Sequence, residues 1–131
     1  MQYDEVKALS NVRFEHAKEY LTTAHNVLEL GDYKSAANRS YYAIFHAMRA
    51  VLAFDGIDMR HHSGIISEFR RLYIKTGIFD KEVSNIISIL FDLRTDCDYN
   101  DFFVIAKEDV ARQILNAEYF CDRIEQYLNG K

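Results

Sequence analysis

A chain of 131 residues suits one domain around one core, and its 49% apolar and 14% aromatic content excludes a disordered polymer. Proline is absent and there are five glycines, which disfavours the turn-rich all-β classes and favours long helices joined by short loops. A formal net charge of -4 excludes a surface that is basic throughout, so any contact with nucleic acid must rest on a local patch.

The glycines punctuate the chain. Gly31, Gly56, Gly77 and Gly130 each follow a stretch of helical periodicity, as expected of a left-handed residue just past a helix end. Asp32, Ser63 and Asp80 stand where N-caps are needed. The chain therefore divides into about five helices, roughly 4–30, 33–55, 63–76, 81–99 and 107–129, forming a single all-α up-and-down bundle. The opening segment MQYDEVKAL has no apolar signal core, and no apolar run approaches the length of a bilayer span. The expected location is the cytoplasm, with no membrane contact. Cys97 and Cys121 are isolated and read as reduced core residues.

In the first helix Phe14, Ala17, Leu21, Ala24 and Leu28 form one apolar stripe. The second helix is more apolar. Ile44, Met48, Tyr41, Leu52 and Phe45 cover one side, and Arg39, Ala43, His46, Ala50 and Ala53 the other, with Tyr42 at the flank. Arg39 and His46 are seven residues apart and project two turns apart from the same face, over a surface of alanines. Such residues read either as a satisfied core histidine and a structural arginine, or as polar groups beneath a small cleft.

The third helix is basic: residues 58–75 hold Arg60, Arg70, Arg71 and Lys75 against Asp58 and Glu68, a net +2, with His61 and His62 beside them. That is either a solvated face or a place for a phosphate. In the fourth helix Val83, Ile86, Ile87, Leu90 and Cys97 mark the buried side, and Arg94 falls within that arc with Asp98 four residues on. Residues 92–109 carry six acids against Arg94 and Lys107, a net -4, so the chain is polarised. Between the fourth and fifth helices, Phe102, Phe103, Val104 and Ile105 form a connection expected to pack on the bundle. The fifth helix buries Val110, Ile114, Ala117, Cys121, Ile124 and Leu128.

Several chemistries find no support. There is no E-x-x-H pair for a di-iron bundle, and Asp96-x-Asp98-x-Asn100 is followed by Asp101 where a calcium loop needs glycine. No P-loop or nucleophile elbow is present, and no cofactor or metal is expected.

The stretch Ala36–Leu52, AANRSYYAIFHAMRAVL, resembles the second helix of HEPN-domain proteins, whose common form is ARxYYAxFHAxxALL. His62–Ser63 with Phe69, and Leu93–Tyr99 (LRTDCDY), are similar to the family's HS…F and R-x-x-x-D-Y elements, in the right order. The resemblance implies a helical bundle that dimerises. It implies RNA or nucleotide as ligand and, in many members, metal-independent ribonuclease activity through an R-x(4–6)-H motif assembled across the dimer. It further implies a role in a toxin–antitoxin or defence module, with a minimal nucleotidyltransferase as partner.

The sequence departs from that motif. Its arginine maps onto Arg94, yet Tyr99, Asn100 and Asp101 stand where the histidine belongs, and none of them replaces an imidazole near neutral pH. Arg39-x6-His46 has the spacing but lies in mid-helix. Two readings follow: a degenerate ribonuclease with Arg39, His46 and Arg94 as its groups, or a non-catalytic module that dimerises and binds a nucleotidyltransferase. In either, Tyr42, Asp98, Tyr99, Arg60, His62, Arg70 and Arg71 are the candidates for contact with RNA or nucleotide.

Overall fold

The computed structural model describes residues 2–131, and every regular element among them is helical. The order is α1 (Tyr3–Glu29), α2 (Tyr33–Phe54), α3 (His62–Phe69) with a π-helical turn at Arg70–Ile74, α4 (Lys81–Tyr99) and α5 (Lys107–Asn129). The all-α bundle of five helices expected from the periodicity is the fold that forms.

Helix α2 is the axle. Thirteen of its 22 residues are buried, against seven of 27 in α1 and five of 19 in α4, so it alone is enclosed. Its alanines let neighbouring helices approach closely. Ser10 of α1 reaches across to donate to the Ala50 carbonyl of α2 at 2.8 Å, satisfying a buried hydroxyl. The main core gathers Ile44, Met48 and Leu52 of α2 with Ile65 and Phe69, Ile87 and Leu90, and Phe120 and Ile124. A smaller core at the other end joins Ala24 and Leu28, Ala36, Cys97, Ile105 and Ile114. Cys97 and Cys121 are buried free thiols, and burial pushes both up in pKa.

Three helix ends carry the expected left-handed glycine, Gly77 (φ 80°) following the third. Gly31 (φ 82°) and Gly56 (φ 80°) close α1 and α2 with paired backbone bonds: Asp32 N–H to Val27 and Gly31 to Leu28, then Ile57 to Leu52 and Gly56 to Ala53. Gly130 departs from expectation, since it ends α5 in right-handed conformation at φ -82°. Asp32 and Asp80 are N-caps, accepting from Ser35 and Val83. Ser63 is not: α3 begins one residue earlier, with His61 at the cap position.

The third helix also differs from a plain 63–76 helix. Lys75 N–H bonds to the Arg70 carbonyl at 2.9 Å, a five-residue step that widens the turn. Arg70 anchors it to α4, donating to Ser84 Oγ (3.1 Å), the Ser84 carbonyl (3.0 Å) and Ser88 Oγ (2.6 Å). The widened turn buries Tyr73 beside Phe69, Phe79 and Tyr127, with its hydroxyl bonded to the Asp55 carboxylate.

The connection 100–106 packs by halves. Ile105 is buried and Phe103 half-buried, whereas Phe102 is 94% and Val104 89% exposed. No helix of the described residues is long and apolar enough to cross a membrane.

Candidate functional site: the polar stripe of helix α2

Four α2 residues share one face: Arg39, Tyr42, His46 and Arg49, at helical steps of three and four. All four are half-buried, where most of the helix is enclosed. α1 flanks this stripe on one side, and α3 and α4 on the other.

From α1, Tyr20 lies parallel to His46 (centroids 5.1 Å, interplanar 8°) and stacks against Tyr42 at 5.8 Å. The Arg39 guanidinium sits 5.9 Å from the Tyr20 ring. His16 meets His46 edge-on at 5.7 Å. A cleft of about 440 Å³ opens here, lined by His16, Glu19, Tyr20, Thr23 and His46.

From α4, Arg94 is directed inward with its side chain 16% exposed. It donates to the Tyr42 hydroxyl at 3.1 Å and lies 5.4–5.8 Å from the rings of Tyr41, Tyr42 and Tyr99. Its Nε is 3.1 Å from Asp98 Oδ2, close enough for an ion pair, but its N–H is not aligned with that oxygen and makes no hydrogen bond. Asn38 Nδ2 donates to the same Asp98 oxygen at 3.1 Å, and Arg39 donates to Asn38 Oδ1 at 2.9 Å. A polar chain thus runs Arg39–Asn38–Asp98–Arg94–Tyr42 and ties the two helices together. Asn38, unnoticed in the sequence, links Arg39 to Asp98.

From α3, His62 lies flat on Phe45 (4.1 Å, 12°) and edge-on to Tyr42. Burial lowers its pKa, and the charges of Arg94 and Arg49 lower it further. Burial pushes the Tyr41 phenol up to about 12, so that hydroxyl stays protonated, and it is hydrogen-bonded to His62 Nδ1 at 3.0 Å. His46 is depressed to about 4, chiefly by burial and then by Arg49, His16, Arg13 and His62. Its Nδ1 is buried without a partner. With both imidazoles held below their ordinary range, arginines carry the positive charge of the site.

The stripe continues to a second set of cations. Arg13 of α1 donates to Asp58 Oδ1 at 2.8 Å, and Arg49 reaches that same oxygen at 3.5 Å. Sequence reasoning missed Arg13 and Tyr20, which the α1–α2 packing brings in, and Asp58, which the α2–α3 loop returns to Arg13; Arg49 carried a signal, standing seven residues after Tyr42.

Among the residues singled out by sequence, Arg39, Tyr42, His46, His62, Arg94, Asp98 and Tyr99 are thus linked in one cluster, with Tyr42 between Arg94 and His46. Arg60 lies exposed in the loop before α3, near enough for its charge to act on Arg49. Arg70 and Arg71 are placed elsewhere: Arg70 is committed to Ser84 and Ser88, and Arg71 pairs with Glu68 through two bonds of 2.8 and 2.9 Å.

A fold with this α2 is that of known proteins. The family model for the HEPN domain matches residues 10–127, and the chain belongs to that family. A UPF0332 protein of Thermotoga maritima is 35% identical over 86% of this chain and 85% of its own length. A protein of Methanocaldococcus jannaschii, described as a candidate toxin, is 32% identical over 95% of this chain and 90% of its own. The crystal structure of an archaeal HEPN homologue superimposes with a TM-score of 0.70 at 18% identity, covering 91% of this chain and 97% of that one, which supports the fold.

Proposed function

We propose that this HEPN protein binds single-stranded RNA or a nucleotide on the polar stripe of α2 and works as a component of a toxin–antitoxin or defence module. The carrying observation is the stack of Tyr20 on His46 and Tyr42, flanked by Arg39 and Arg94. Aromatic faces receive bases and guanidinium groups receive phosphates, which is how single strands are held without reading every base. The relative described as a candidate toxin supports the module.

Binding is favoured over cleavage. A general base and acid that both work near pH 7 need a pKa near that value, and His46 sits at about 4 with no carboxylate bonded to it. If cleavage does occur, His46 would take the 2′-hydroxyl proton and Arg39 or Arg94 would stabilise the phosphorane. The test is RNA binding and cleavage by the purified protein beside His46→Ala and Arg94→Ala. Binding without cleavage, weakened in Arg94→Ala, supports the reading. Cleavage abolished by His46→Ala would restore the enzyme, and absence of RNA binding would remove the function altogether.

One observation favours a second reading. The exposed Phe102 and Val104 are flanked by Asp98 and Asp101, a surface suited to a protein partner such as a second copy or a nucleotidyltransferase. Native mass spectrometry of the protein bearing Phe102→Ser tests it, through loss of a dimer or hetero-complex.

A further inference from the structure

The RNA-binding reading leaves one feature unused: the Arg13–Arg49 pair at the far end of the stripe. Two guanidinium groups share one oxygen of one carboxylate, so the cluster keeps an excess of positive charge. Arg13 is held rigidly, its side chain only 10% exposed, and Arg49 is 22% exposed. Arg49 Nε is buried with no hydrogen-bond partner. A buried donor left unpaired is costly, and Arg49 meets Asp58 only through its terminal Nη2 at 3.5 Å. Burial and the charges of Arg13 and Arg60 all press against the Arg49 cation, and Asp58 offsets them only in part. Asp58 itself lies in the α2–α3 loop with its side chain half exposed, tethered only by these two arginines.

Arg39 and Arg49 are ten positions apart on α2, about 15 Å along its axis. One phosphate cannot reach both. The rings of Tyr20, Tyr42 and His46 lie between them.

Resting on that reading, we propose that Arg13 and Arg49 form a second phosphate station, so that the stripe takes a single strand with phosphates at both ends and bases stacked between. Arg94 and Arg39 hold one phosphate and Arg49 and Arg13 another, with Asp58 occupying the second station until the strand arrives. The ligand class is an oligonucleotide, not a mononucleotide.

The experiment is fluorescence polarisation of a labelled single-stranded oligoadenylate of about eight residues over a salt series. Wild type is compared with Arg94→Gln, Arg49→Gln and Asp58→Asn, each checked for folding by its melting temperature. Arg49→Gln should weaken binding about tenfold and reduce the log–log salt slope by about one. Asp58→Asn should tighten binding about threefold, because it frees both arginines of their competitor. A merely structural latch would predict no tightening. If Arg94→Gln weakens binding while Arg49→Gln and Asp58→Asn match wild type, the second station is overturned and the RNA-binding reading stands. If wild type does not bind the oligonucleotide, both fail.

Discussion

Arg94 on α4 donates a hydrogen bond to the hydroxyl of Tyr42 on α2, 52 residues away in sequence, at 3.1 Å. That bond joins two of the three segments that carry the family resemblance and fixes a guanidinium beside the aromatic stack. A lysine cannot do the same, because a compact ammonium has no planar fork to reach Tyr42 and Asp98 together while lying on ring faces.

Arg94→Lys should therefore behave much like Arg94→Gln in RNA binding, a loss of about tenfold each, corresponding to about 1.4 kcal/mol. Both should also cost about 1–3 kcal/mol of stability, since Asp98 and the Tyr42 hydroxyl lose a partner. Titration with labelled RNA and urea denaturation of the same samples check the two effects. Full binding by Arg94→Lys would mean that only charge matters there.

Arg70 should separate stability from binding. Its donors clamp the π-helical turn to Ser84 and Ser88, so Arg70→Ala is expected to lower stability by about 1–3 kcal/mol while leaving RNA affinity within twofold. Chemical denaturation with a parallel binding curve measures this, and a stable variant with weak binding would move the RNA path onto α3.

The buried imidazole gives a pH dependence of definite sign. The folded protein holds His46 at about 4, whereas the unfolded chain titrates near the ordinary 6.5, so the unfolded chain binds the proton first as pH falls. The stability contributed by neutral His46 is complete above about pH 6.5 and is lost progressively down to about pH 4. His62, also lowered, acts in the same direction. Urea midpoints between pH 7 and pH 4 should fall more steeply for wild type than for His46→Gln, and parallel curves would contradict the assignment.

Gly64 offers a mild test of α3. A Cβ there would lie 2.9 Å from Met59 Cε, the free end of a flexible side chain that can move aside. Gly64→Ala should stabilise the protein by up to about 1 kcal/mol through helix propensity. A lower melting temperature would show that Met59 is more tightly held than its half-buried position implies.

Much of this was legible in the chain. Helical periodicity and three capping signals sufficed for five helices, because Gly31, Gly56 and Asp80 act locally. The π-turn was not, since it depends on Arg70 meeting Ser84 and Ser88 across a tertiary contact. Ser63 looked like a cap only because the start of α3 was placed one residue late. The polar stripe was visible as spacing, but Tyr20, Arg13 and Asp58 are brought to it by packing, and Asn38 gains its role only where α4 places Asp98 against it. Phe102 and Val104 read as core by composition, although the extended segment turns alternate side chains outward.

Photo-crosslinking of bound single-stranded RNA, with the adducts mapped by mass spectrometry, locates the strand itself. Adducts on Tyr20 and Tyr42, lost on Arg94→Gln, are the expected result. Adducts confined to Tyr119 or Tyr127 on α5, with Tyr20 and Tyr42 unmodified, would contradict binding on the α2 stripe.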